Sequence, residues 1–384
     1  MRIISKIETI ALRAIAAVLV VGLAAMMSSC SMLYEWRDRD KGIQIGNLQG
    51  PPGYRVTIFA SGLPTARHMV MGNRGTLFVG SSEGNVYALS LNGSTVVRQR
   101  VLVSGLTDPS GVAFHDGALF VADRTRILRF DQIEQRLDSP GEPVVVIDGF
   151  PNKSRHDAHA MNFGPDGKLY VAVGSPCDTC EADNDEFGTI IRSYADGTGR
   201  EVVARGIRNS VGFDWHPQSR ELWFTDNGQD GLGPARPNDE LNRVSRAGEH
   251  FGFPYCHDRD ISDPDFGAKR KCSEFTSPEF GLGAHVGALG MRFDTRADTG
   301  TPAGDDVGIL IARHGSHPPI RVGYDVVRVV MQAGKPDRME PFLSGFLQGR
   351  RYWGRPVDVL VMGDGSVLVS DDMNGAIYRV SRKT

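Results

Sequence analysis

The sequence lacks both a strong net charge and long stretches with helical periodicity. Its 43 Lys and Arg against 46 Asp and Glu leave a net charge of −3, which gives no reason to expect nucleic acid or an anionic membrane surface as a partner. Glycine (46) and proline (21) are frequent, and without helical periods they favour many turns and an all-β chain. A chain of 384 residues can bury a large core in one or two domains.

The apolar run near the N-terminus is too short for a comfortable membrane span, which needs roughly 20 residues. This run, Ala14–Met27, follows three basic residues and ends just before two serines and Cys30. The order predicts an export signal of the bacterial lipoprotein type over residues 1–29, with Cys30 as the lipidated first residue of the mature chain. An ordinary secretory signal with a stray cysteine is the alternative.

The residue after this cysteine is Ser31 rather than Asp, so no inner-membrane retention signal is evident. We therefore expect an exported protein at the periplasmic face of the cell envelope, held in the outer membrane by a lipid anchor. Residues 30–50 are polar and mixed, which indicates a tether between the anchor and the folded domain.

Cysteine is scarce, and only four cysteines remain when Cys30 is set aside. Four cysteines allow about three full pairings, and we predict the local one, Cys177–Cys180 with Cys256–Cys272, because it closes short loops. The alternative for the first pair is a redox or metal-binding CxxC motif. A redox CxxC usually opens a helix, whereas this one follows a strand, so a structural disulfide is favoured.

One pattern recurs from Tyr54 onward: an apolar strand, a turn with glycine, and a second strand rich in Leu, Val and aromatics. Its six copies are Met69–Met71 with Thr76–Gly80, Gly111–Phe114 with Ala118–Ala122, Ala160–Phe163 with Lys168–Val173, Val211–Trp215 with Glu221–Thr225, Ala288–Phe293 with Gly308–Ala312, and Val357–Met362 with Ser366–Ser370. Most recur at roughly 40–60 residues, a period typical of β-propeller blades of about four strands. The Asp-Gly turns need no function, because Gly supplies positive φ and Asp caps the turn.

The six copies predict a six-bladed β-propeller over residues 51–384. A single blade cannot bury both of its faces, so stacking blades around an axis would create the core. The strand Tyr54–Phe59 would complete the last blade and hide an otherwise open edge. A β-sandwich or a two-domain β protein is the structural alternative.

Loops at one end of a propeller channel form its site, so polar residues just before the first strands or just after the second strands are the candidates. Histidine can accept a proton near neutral pH, arginine binds a carboxylate or quinone oxygen, and clustered oxygens fit a hard cation such as calcium. Surface loops and salt bridges between blades are the structural alternatives. The candidate stretches are Arg155 to His159, Arg208-Asn209, residues 226–230 and 238–242, and Arg313 to Gly315 with residues 350–356.

Several segments together resemble the pyrroloquinoline quinone (PQQ)-dependent sugar dehydrogenases, in particular the sorbosone dehydrogenase-like branch. The resemblance spans essentially Tyr54 to the C-terminus. RGIRNSVGFDWHP and ELWFTDNG together are hard to obtain from generic propeller repeats. The segments that carry it are 163–185, 201–228, 238–244, 250–258 and 354–380.

The resemblance implies a six-bladed propeller with PQQ and calcium at the mouth of the channel. It places the general base at His156, eight residues before the Gly-Pro-Asp-Gly turn, where it would take the hydroxyl proton while a hydride passes to the quinone. Arg208 and Asn209 match the pair that contacts the quinone, and Arg208 would stabilise a developing oxyanion. His159 stands where relatives have a small or apolar residue.

The same resemblance implies the metal ligands. Gly228 and Gln229 match backbone positions that ligate the cofactor's calcium, which would polarise the quinone carbonyl. Asp239 and Glu240 resemble an acidic pair at a second, structural calcium site. Further residues near the cofactor would be His285, Arg313 and Arg355.

We therefore expect an enzyme that oxidises a sugar or a sugar-derived aldehyde with PQQ and Ca²⁺. The sequence does not specify the sugar or the electron acceptor, a quinone or a cytochrome. One alternative is a lactone hydrolase on the same fold, with calcium held deep in the channel by side-chain carboxylates. Another is a propeller that only binds a ligand, and the fold alone does not separate these functions.

Overall fold

A computed structural model describes residues 42–152, 155–294, 296, 307–317 and 319–383. The predicted signal peptide, the lipidation site Cys30 and most of the predicted tether lie outside the described residues, as does most of the insertion between Phe293 and Gly308. Within the described ranges, no helix is long and apolar enough to cross a membrane.

The described chain forms six antiparallel sheets of four main strands, and these confirm the predicted six-bladed β-propeller. Blade 1 comprises Ala66–Met71, Thr76–Ser81, Val86–Asn92 and Thr95–Val103. Blade 2 comprises Val112–His115, Ala118–Asp123, Arg126–Phe130 and Val144–Asp148. Blade 3 comprises Met161–Phe163, Leu169–Val173, Thr189–Ser193 and Glu201–Arg205, with Glu249–His250 added in parallel at its outer edge.

The other three blades repeat the arrangement. Blade 4 comprises Phe213–Trp215, Leu222–Asp226, Asn238–Val244 and Phe280–Ala284. Blade 5 comprises Ala288–Asp294, Gly308–Arg313, Asp325–Gln332 and Lys335–Leu343. Blade 6 comprises Pro356–Val361, Val367–Asp371, Ala376–Arg382 and, from the start of the chain, Tyr54–Ser61. Short hairpins and 3₁₀ turns complete the described structure at Cys256–His257 with Ile261–Ser262, Leu347–Gln348 with Arg351–Tyr352, Ile45–Asn47, Ile133–Gln135 and Cys272–Glu274.

The second strand of each blade is apolar and almost completely buried, because each blade is packed between two neighbours. All five residues of Leu169–Val173 are buried, whereas the outer strand Thr95–Val103 is largely exposed. The turns carry the predicted aspartates: Asp166 Oδ1 accepts the Lys168 N–H at 3.1 Å, next to Gly167 at φ +74°. Asp364 accepts the Ser366 N–H at 2.9 Å in the same way, so these two aspartates are turn caps, as predicted.

Six apolar clusters hold the blades together, and each joins two adjacent blades. The cluster between blades 6 and 1 packs Leu368 and Ile377 against Leu77 and Leu89. First strands of neighbouring blades contact one another and surround the axis. The core is therefore a ring rather than one central mass.

The N-terminal strand closes this ring. Tyr54–Ser61 pairs antiparallel with Ala376–Arg382, which confirms the prediction for Tyr54–Phe59. The preceding residues 42–50, predicted as the end of the tether, also contact the propeller: Gln49 and Ser344 exchange two backbone hydrogen bonds of 2.9 and 3.0 Å, and Leu48 is buried between blades 5 and 6.

Candidate active site

A cavity of about 340 Å³ lies at the end of the propeller where first strands begin and second strands end. It is lined by polar residues from five blades, with Val211 and Leu289 as apolar neighbours. Seven of the ten sequence-predicted catalytic, cofactor-binding and metal-binding residues line it: His156, Arg208, Asn209, Gly228, Asp239, His285 and Arg355.

Buried aspartates at the ends of second strands position the arginines of this cavity. Asp226 accepts hydrogen bonds from the backbone N–H groups of Arg208 (2.9 Å) and Asn209 (2.6 Å). Asp371 occupies the same position in blade 6 and accepts the backbone N–H of Arg355 at 3.0 Å. Burial raises the pKa of Asp226 to about 7, although the two N–H donors oppose this shift. Each aspartate thus fixes the loop that enters its own blade.

The guanidinium of Arg208 is held by the loop that the Cys177–Cys180 disulfide closes. Its Nε donates to the Asp178 backbone oxygen at 2.9 Å, and its Nη2 forms an ion pair with the Asp178 carboxylate. Burial raises the pKa of Asp178, but the hydrogen bond and charge of Arg208 outweigh this and lower it overall. The side chain of Arg208 is only 6% exposed, so its direction into the site is fixed.

His156 is held in one tautomer by Ser175. Its Nδ1 lies 3.0 Å from the Ser175 carbonyl oxygen and 3.2 Å from the Ser175 hydroxyl. A carbonyl oxygen only accepts, so Nδ1 carries the proton and the neutral ring keeps its lone pair on Nε2. Burial and, to a smaller extent, the positive charge of Arg208 lower the pKa of His156 to about 4. The ring is therefore neutral at pH 7 and able to accept a proton.

His159 serves a different purpose from His156. It is buried between blades 2 and 3, with Nδ1 2.8 Å from the Ala172 oxygen and Nε2 2.7 Å from the Arg124 oxygen. It does not line the cavity. Residues three apart in an extended segment point to opposite faces, and the two histidines do not share one site.

The cavity contains one arginine that the sequence did not single out, Arg67, besides the candidates Arg155, Arg208 and Arg355. Arg67 pairs with Asp372 at 3.0 Å, and Arg155 lies 3.9 Å from both Asp178 and Asp230. Arg355 donates to the His314 oxygen (3.2 Å) and the Gly315 oxygen (2.7 Å). Among the described residues, Arg355 has no carboxylate within ion-pair distance, although its charge helps to lower the pKa of Asp372 nearby.

Three predicted residues are not brought to the cavity. Arg313 makes a two-pronged ion pair with Asp325, at 2.6 and 2.7 Å, because the two residues lie directly opposite on neighbouring strands. The side chain of Gln229 is buried and turned back to accept the Gly231 N–H at 2.8 Å. The third residue that is not brought to the cavity is Glu240, whose side chain points away from it.

Asp239 and Glu240 do not act as a pair, because consecutive strand residues point to opposite faces. Asp239 faces the cavity and accepts the N–H groups of Gly228 (3.0 Å) and Ala288 (2.8 Å). Glu240 points away and accepts from Asp258 N (2.8 Å) and Asn242 Nδ2 (2.9 Å). Burial raises the pKa of Asp239 to about 6. Within the described part of the chain, no three His, Cys, Asp or Glu residues form a metal-binding group.

His285 lines the cavity as predicted and is held by its neighbours. Its Nε2 lies 2.7 Å from the Gly233 oxygen, and its Nδ1 lies 3.7 Å from Asp230. Both predicted disulfides, Cys177–Cys180 and Cys256–Cys272, are formed, so the CxxC motif is structural.

Residues 48–383 match the model of the TrAA12-like family. The chain belongs to this family. A relative in Borreliella burgdorferi, an uncharacterized protein, is 30% identical over 349 residues, which cover 87% of this chain and 90% of that protein.

Solved structures similar to this TrAA12-like chain share its fold. The family AA12 enzyme of Trichoderma reesei, in an iodide structure, superposes with a TM-score of 0.78 at 18% identity, covering 90% of this chain and 100% of that one. The PQQ domain of pyranose dehydrogenase from Coprinopsis cinerea, in its holo form, gives a TM-score of 0.73 at 18% identity, covering 87% and 97%. At these identities the likeness establishes the fold.

Sequence reasoning missed several residues of this TrAA12-like site. Asp372 follows a second strand directly, as Asn227 and the candidate His314 do, so its position in the repeat could have revealed it. His314 and Asp372 pair with each other at 3.0 Å. Arg67 begins blade 1 much as Arg355 precedes blade 6, but it stands in a weak copy of the repeat. Asp178 could not be predicted as a site residue, because the sequence does not show toward which side of the blade the disulfide loop directs its side chains.

Proposed function

We propose that this protein is a PQQ-dependent dehydrogenase that oxidises a sugar or a sugar-derived aldehyde, with His156 as general base. The observation that carries the proposal is the arrangement of His156, Arg208 and Asn209 around one arginine-rich cavity. His156 has its proton on Nδ1, bonded to Ser175, and is neutral at pH 7. Its Nε2 is thus the nitrogen that would take the proton of a substrate hydroxyl.

The charges of the cavity support an anionic cofactor. Arg67, Arg155, Arg208 and Arg355 line one cavity of about 340 Å³. Among the described residues, Arg355 bonds to two backbone oxygens and lies over the Tyr324 ring, with no carboxylate within ion-pair distance. A cofactor with several carboxylates would form ion pairs with these arginines and balance their positive charge. When bound, PQQ supplies the chemistry of hydride acceptance. Arg208, fixed by Asp178, would orient the reacting edge and stabilise negative charge there.

Calcium is the second group that the proposal requires. Gly228 and the carboxylate of Asp239 line the cavity and would lie nearest to the ion. Oxygen ligands of this kind suit calcium. Glu240 is excluded from this role because it faces away from the cavity. Asp239, which accepts the Gly228 N–H, therefore provides the buried carboxylate of the proposed site, and Asp157 and Asp230 also line the cavity.

The deciding experiment is reconstitution of the purified protein with PQQ and Ca²⁺. PQQ binding would be followed by quenching of tryptophan fluorescence, and turnover by dye reduction with aldoses, sorbosone and alcohols. We expect PQQ to bind and at least one sugar or aldehyde to be oxidised. His156→Ala should bind PQQ and lose turnover by about 10²–10⁴-fold, the usual contribution of a general base. Absence of PQQ binding would overturn the proposal, and lactone hydrolysis by the same preparation would favour the hydrolase.

The proposal extends to export and anchoring. Residues 1–29 would be removed as a signal peptide, Cys30 would be lipidated, and the propeller would be held at the periplasmic face of the outer membrane. We expect Cys30→Ser to abolish labelling with a radioactive fatty acid and to release the protein from the membrane fraction. Retention of the label in this variant would contradict the lipoprotein assignment.

A further inference from the structure

The first described residues lie on the face of the propeller that carries the candidate active site. Second strands end at this face, and Arg313, at the end of the second strand of blade 5, pairs with Asp325, which begins the third strand. The third strand runs away from the face and the fourth returns to it, ending at Leu343. Ser344 follows and exchanges two backbone hydrogen bonds with Gln49. The chain just before Gln49 therefore lies at the cavity end of blades 5 and 6.

The segment 42–49 is fixed to this corner of the face. A Cβ at Gly345 would lie only 2.0 Å from the Asn47 oxygen, so the two backbones are in contact. Gly345 leads into the hairpin 347–352, and Arg355, which lines the cavity, follows this hairpin. The point at which the predicted tether joins the folded domain therefore lies beside the cavity.

The corner is basic, and its sequence contains no acidic residue. It is formed by three segments, 42–53, 314–324 and 341–355. None of them contains Asp or Glu, whereas they contain four arginines. Arg350 and Arg351 are exposed on the hairpin, and Arg321 donates from Nε to the Arg350 oxygen at 3.4 Å. The net charge of −3 for the whole chain does not show this local excess, which we call the basic corner.

Apolar side chains lie next to these arginines. Val322 is 38% exposed, and the neighbouring Arg321 guanidinium lies over the Tyr352 ring, 5.3 Å from its centroid. Ile43 and Ile45 are partly buried where they pack against the cluster between blades 5 and 6. Arginines beside apolar groups are typical of surfaces that lie at the headgroup layer of a membrane.

The opposite side of the same face has the opposite charge. The disulfide loop of blade 3, residues 178–186, contains five acidic residues and no basic one. Among the described residues, Asp183 and Asp185 of this loop are exposed and form no ion pair. Blades 3 and 6 stand across the ring from each other, so an anionic surface would attract the basic corner and repel the loop.

We propose that the basic corner docks on an anionic phospholipid surface, with Arg321, Arg350 and Arg351 at the headgroups. The predicted tether runs from Cys30 to the same corner and spans at most about 40 Å when fully extended, so anchor and corner would act on one membrane. The docking needs neither the cofactor nor the lipid anchor. For the proposed dehydrogenase, it would place the mouth of the cavity beside electron carriers held in the membrane.

Vesicle flotation tests the docking with the mature chain, residues 30–384, carrying Cys30→Ser so that it has no lipid. We expect binding to vesicles of phosphatidylglycerol with phosphatidylcholine, no binding to phosphatidylcholine alone, and release by about 0.5 M NaCl, which screens charges beyond a few ångströms. Arg350→Glu/Arg351→Glu should weaken the binding by at least about 25-fold, roughly fivefold for each arginine lost.

The matched control is Arg246→Glu/Lys383→Glu, which changes the net charge equally on the opposite face. Arg246 has an 85% exposed side chain and follows the third strand of blade 4, and Lys383 follows the last strand of blade 6. This variant should bind vesicles as the unaltered chain does. Thermal unfolding midpoints verify that both variants are folded. The docking is refuted if the unaltered chain does not bind the anionic vesicles, or if the two variants weaken binding equally.

A fluorophore reports the orientation separately. The four cysteines of the propeller are paired in disulfides, so Gln348→Cys and Asn73→Cys each provide one free thiol in the chain that carries Cys30→Ser. Gln348 is exposed on the hairpin of the basic corner, and Asn73 is exposed in a turn on the opposite face. Lipids with a quencher at the headgroup should quench the label at position 348 and leave the label at position 73 bright.

Equal quenching at the two positions, or stronger quenching at position 73, would overturn the proposed orientation. Neither measurement uses PQQ, a sugar or a lipid anchor. Failure of the dehydrogenase or of the lipoprotein assignment is therefore distinguishable from failure of the docking.

Discussion

Asp178 holds Arg208 by two groups at once, its backbone oxygen and its carboxylate. The contact links the disulfide loop of blade 3 to the loop that enters blade 4. Among the described residues, the other partners of the Arg208 guanidinium are the Asn227 oxygen, 3.3 Å from Nη1, and the more distant Asp230 carboxylate, 3.8 Å from Nη2. Asp178 is therefore a positioning residue for the arginine that would act on the substrate and cofactor.

Replacing Asp178 by Asn should lower kcat by about 10–100-fold, because a hydrogen bond to a charged group is worth about 1.5–3 kcal/mol. KM should change less, since Arg208 is proposed to act on charge that develops during the reaction. Steady-state kinetics of the reconstituted enzyme measure this split. The control is Asp196→Asn, an exposed turn residue that bonds only to Thr198 among the contacts described; a loss of equal size there would contradict the assignment.

The disulfide Cys177–Cys180 should matter more for activity than for stability. It closes a very short loop, so its removal is expected to cost only about 2 kcal/mol of unfolding free energy. The double variant Cys177→Ser/Cys180→Ser frees Asp178, and it should lose activity to the same extent as Asp178→Asn. Kinetics and thermal unfolding of the same preparation test this.

A comparison with the second disulfide makes this prediction specific. Cys256→Ser/Cys272→Ser removes a bond between residues 16 apart and should lower the melting temperature by more. If the first double variant keeps full activity, the loop is held by its other contacts and the disulfide has no part in positioning Arg208.

The six blades were predictable from the sequence because each blade is a local unit. Its strands are neighbours along the chain, and the glycine turns between them are visible as Asp-Gly pairs. The site was predictable only where a residue's place in the repeat decides its direction. His156 and Arg208 precede first strands, so the propeller itself brings them to one end of the channel.

The positions of the Arg313 and Glu240 side chains could not be predicted from their places in the repeat. Arg313 ends a second strand, which is a site position, but the residue opposite it on the next strand is Asp325, and a cross-strand ion pair withdraws the side chain. Glu240 follows Asp239 directly, and strand alternation sends it to the other face. Both outcomes depend on register between strands, which is a non-local property of the fold.

Gly174 allows His156 to approach the second strand of blade 3. A Cβ at this position would lie 2.5 Å from both the Cβ and the backbone oxygen of His156. We expect Gly174→Ala to displace His156, since the obstacle is partly backbone, and to reduce kcat nearly as far as His156→Ala does. Dye-reduction kinetics measure this effect.

Gly363→Ala is the matched control for this substitution, because a Cβ there meets nothing within 4 Å. It should keep full activity. Thermal unfolding of both variants separates displacement of the base from general destabilisation. An active Gly174→Ala enzyme would show that the His156 segment shifts without consequence for proton transfer.

The depressed pKa of His156 gives a prediction for the cofactor-free protein. Burial and the charge of Arg208 lower this pKa to about 4, so His156 should stay neutral on acidification to well below pH 6. Arg208→Gln removes the second of these causes, and the pKa of His156 should rise. Long-range ¹H–¹⁵N NMR of the histidine side chains, recorded from pH 8 to pH 3.5, follows the titration directly.

Arg67→Gln serves as the control for this titration, because Arg67 is not among the charges that shift His156. The low pKa of His156 also determines in which direction the stability of the protein changes with pH. A folded pKa below the unfolded value of about 6.5 means that neutral His156 favours the native state above pH 6.5, and that this contribution disappears as the pH falls toward 4. A titration of His156 near pH 6.5, or one unchanged by Arg208→Gln, would contradict the electrostatic coupling between the base and the arginine beside it.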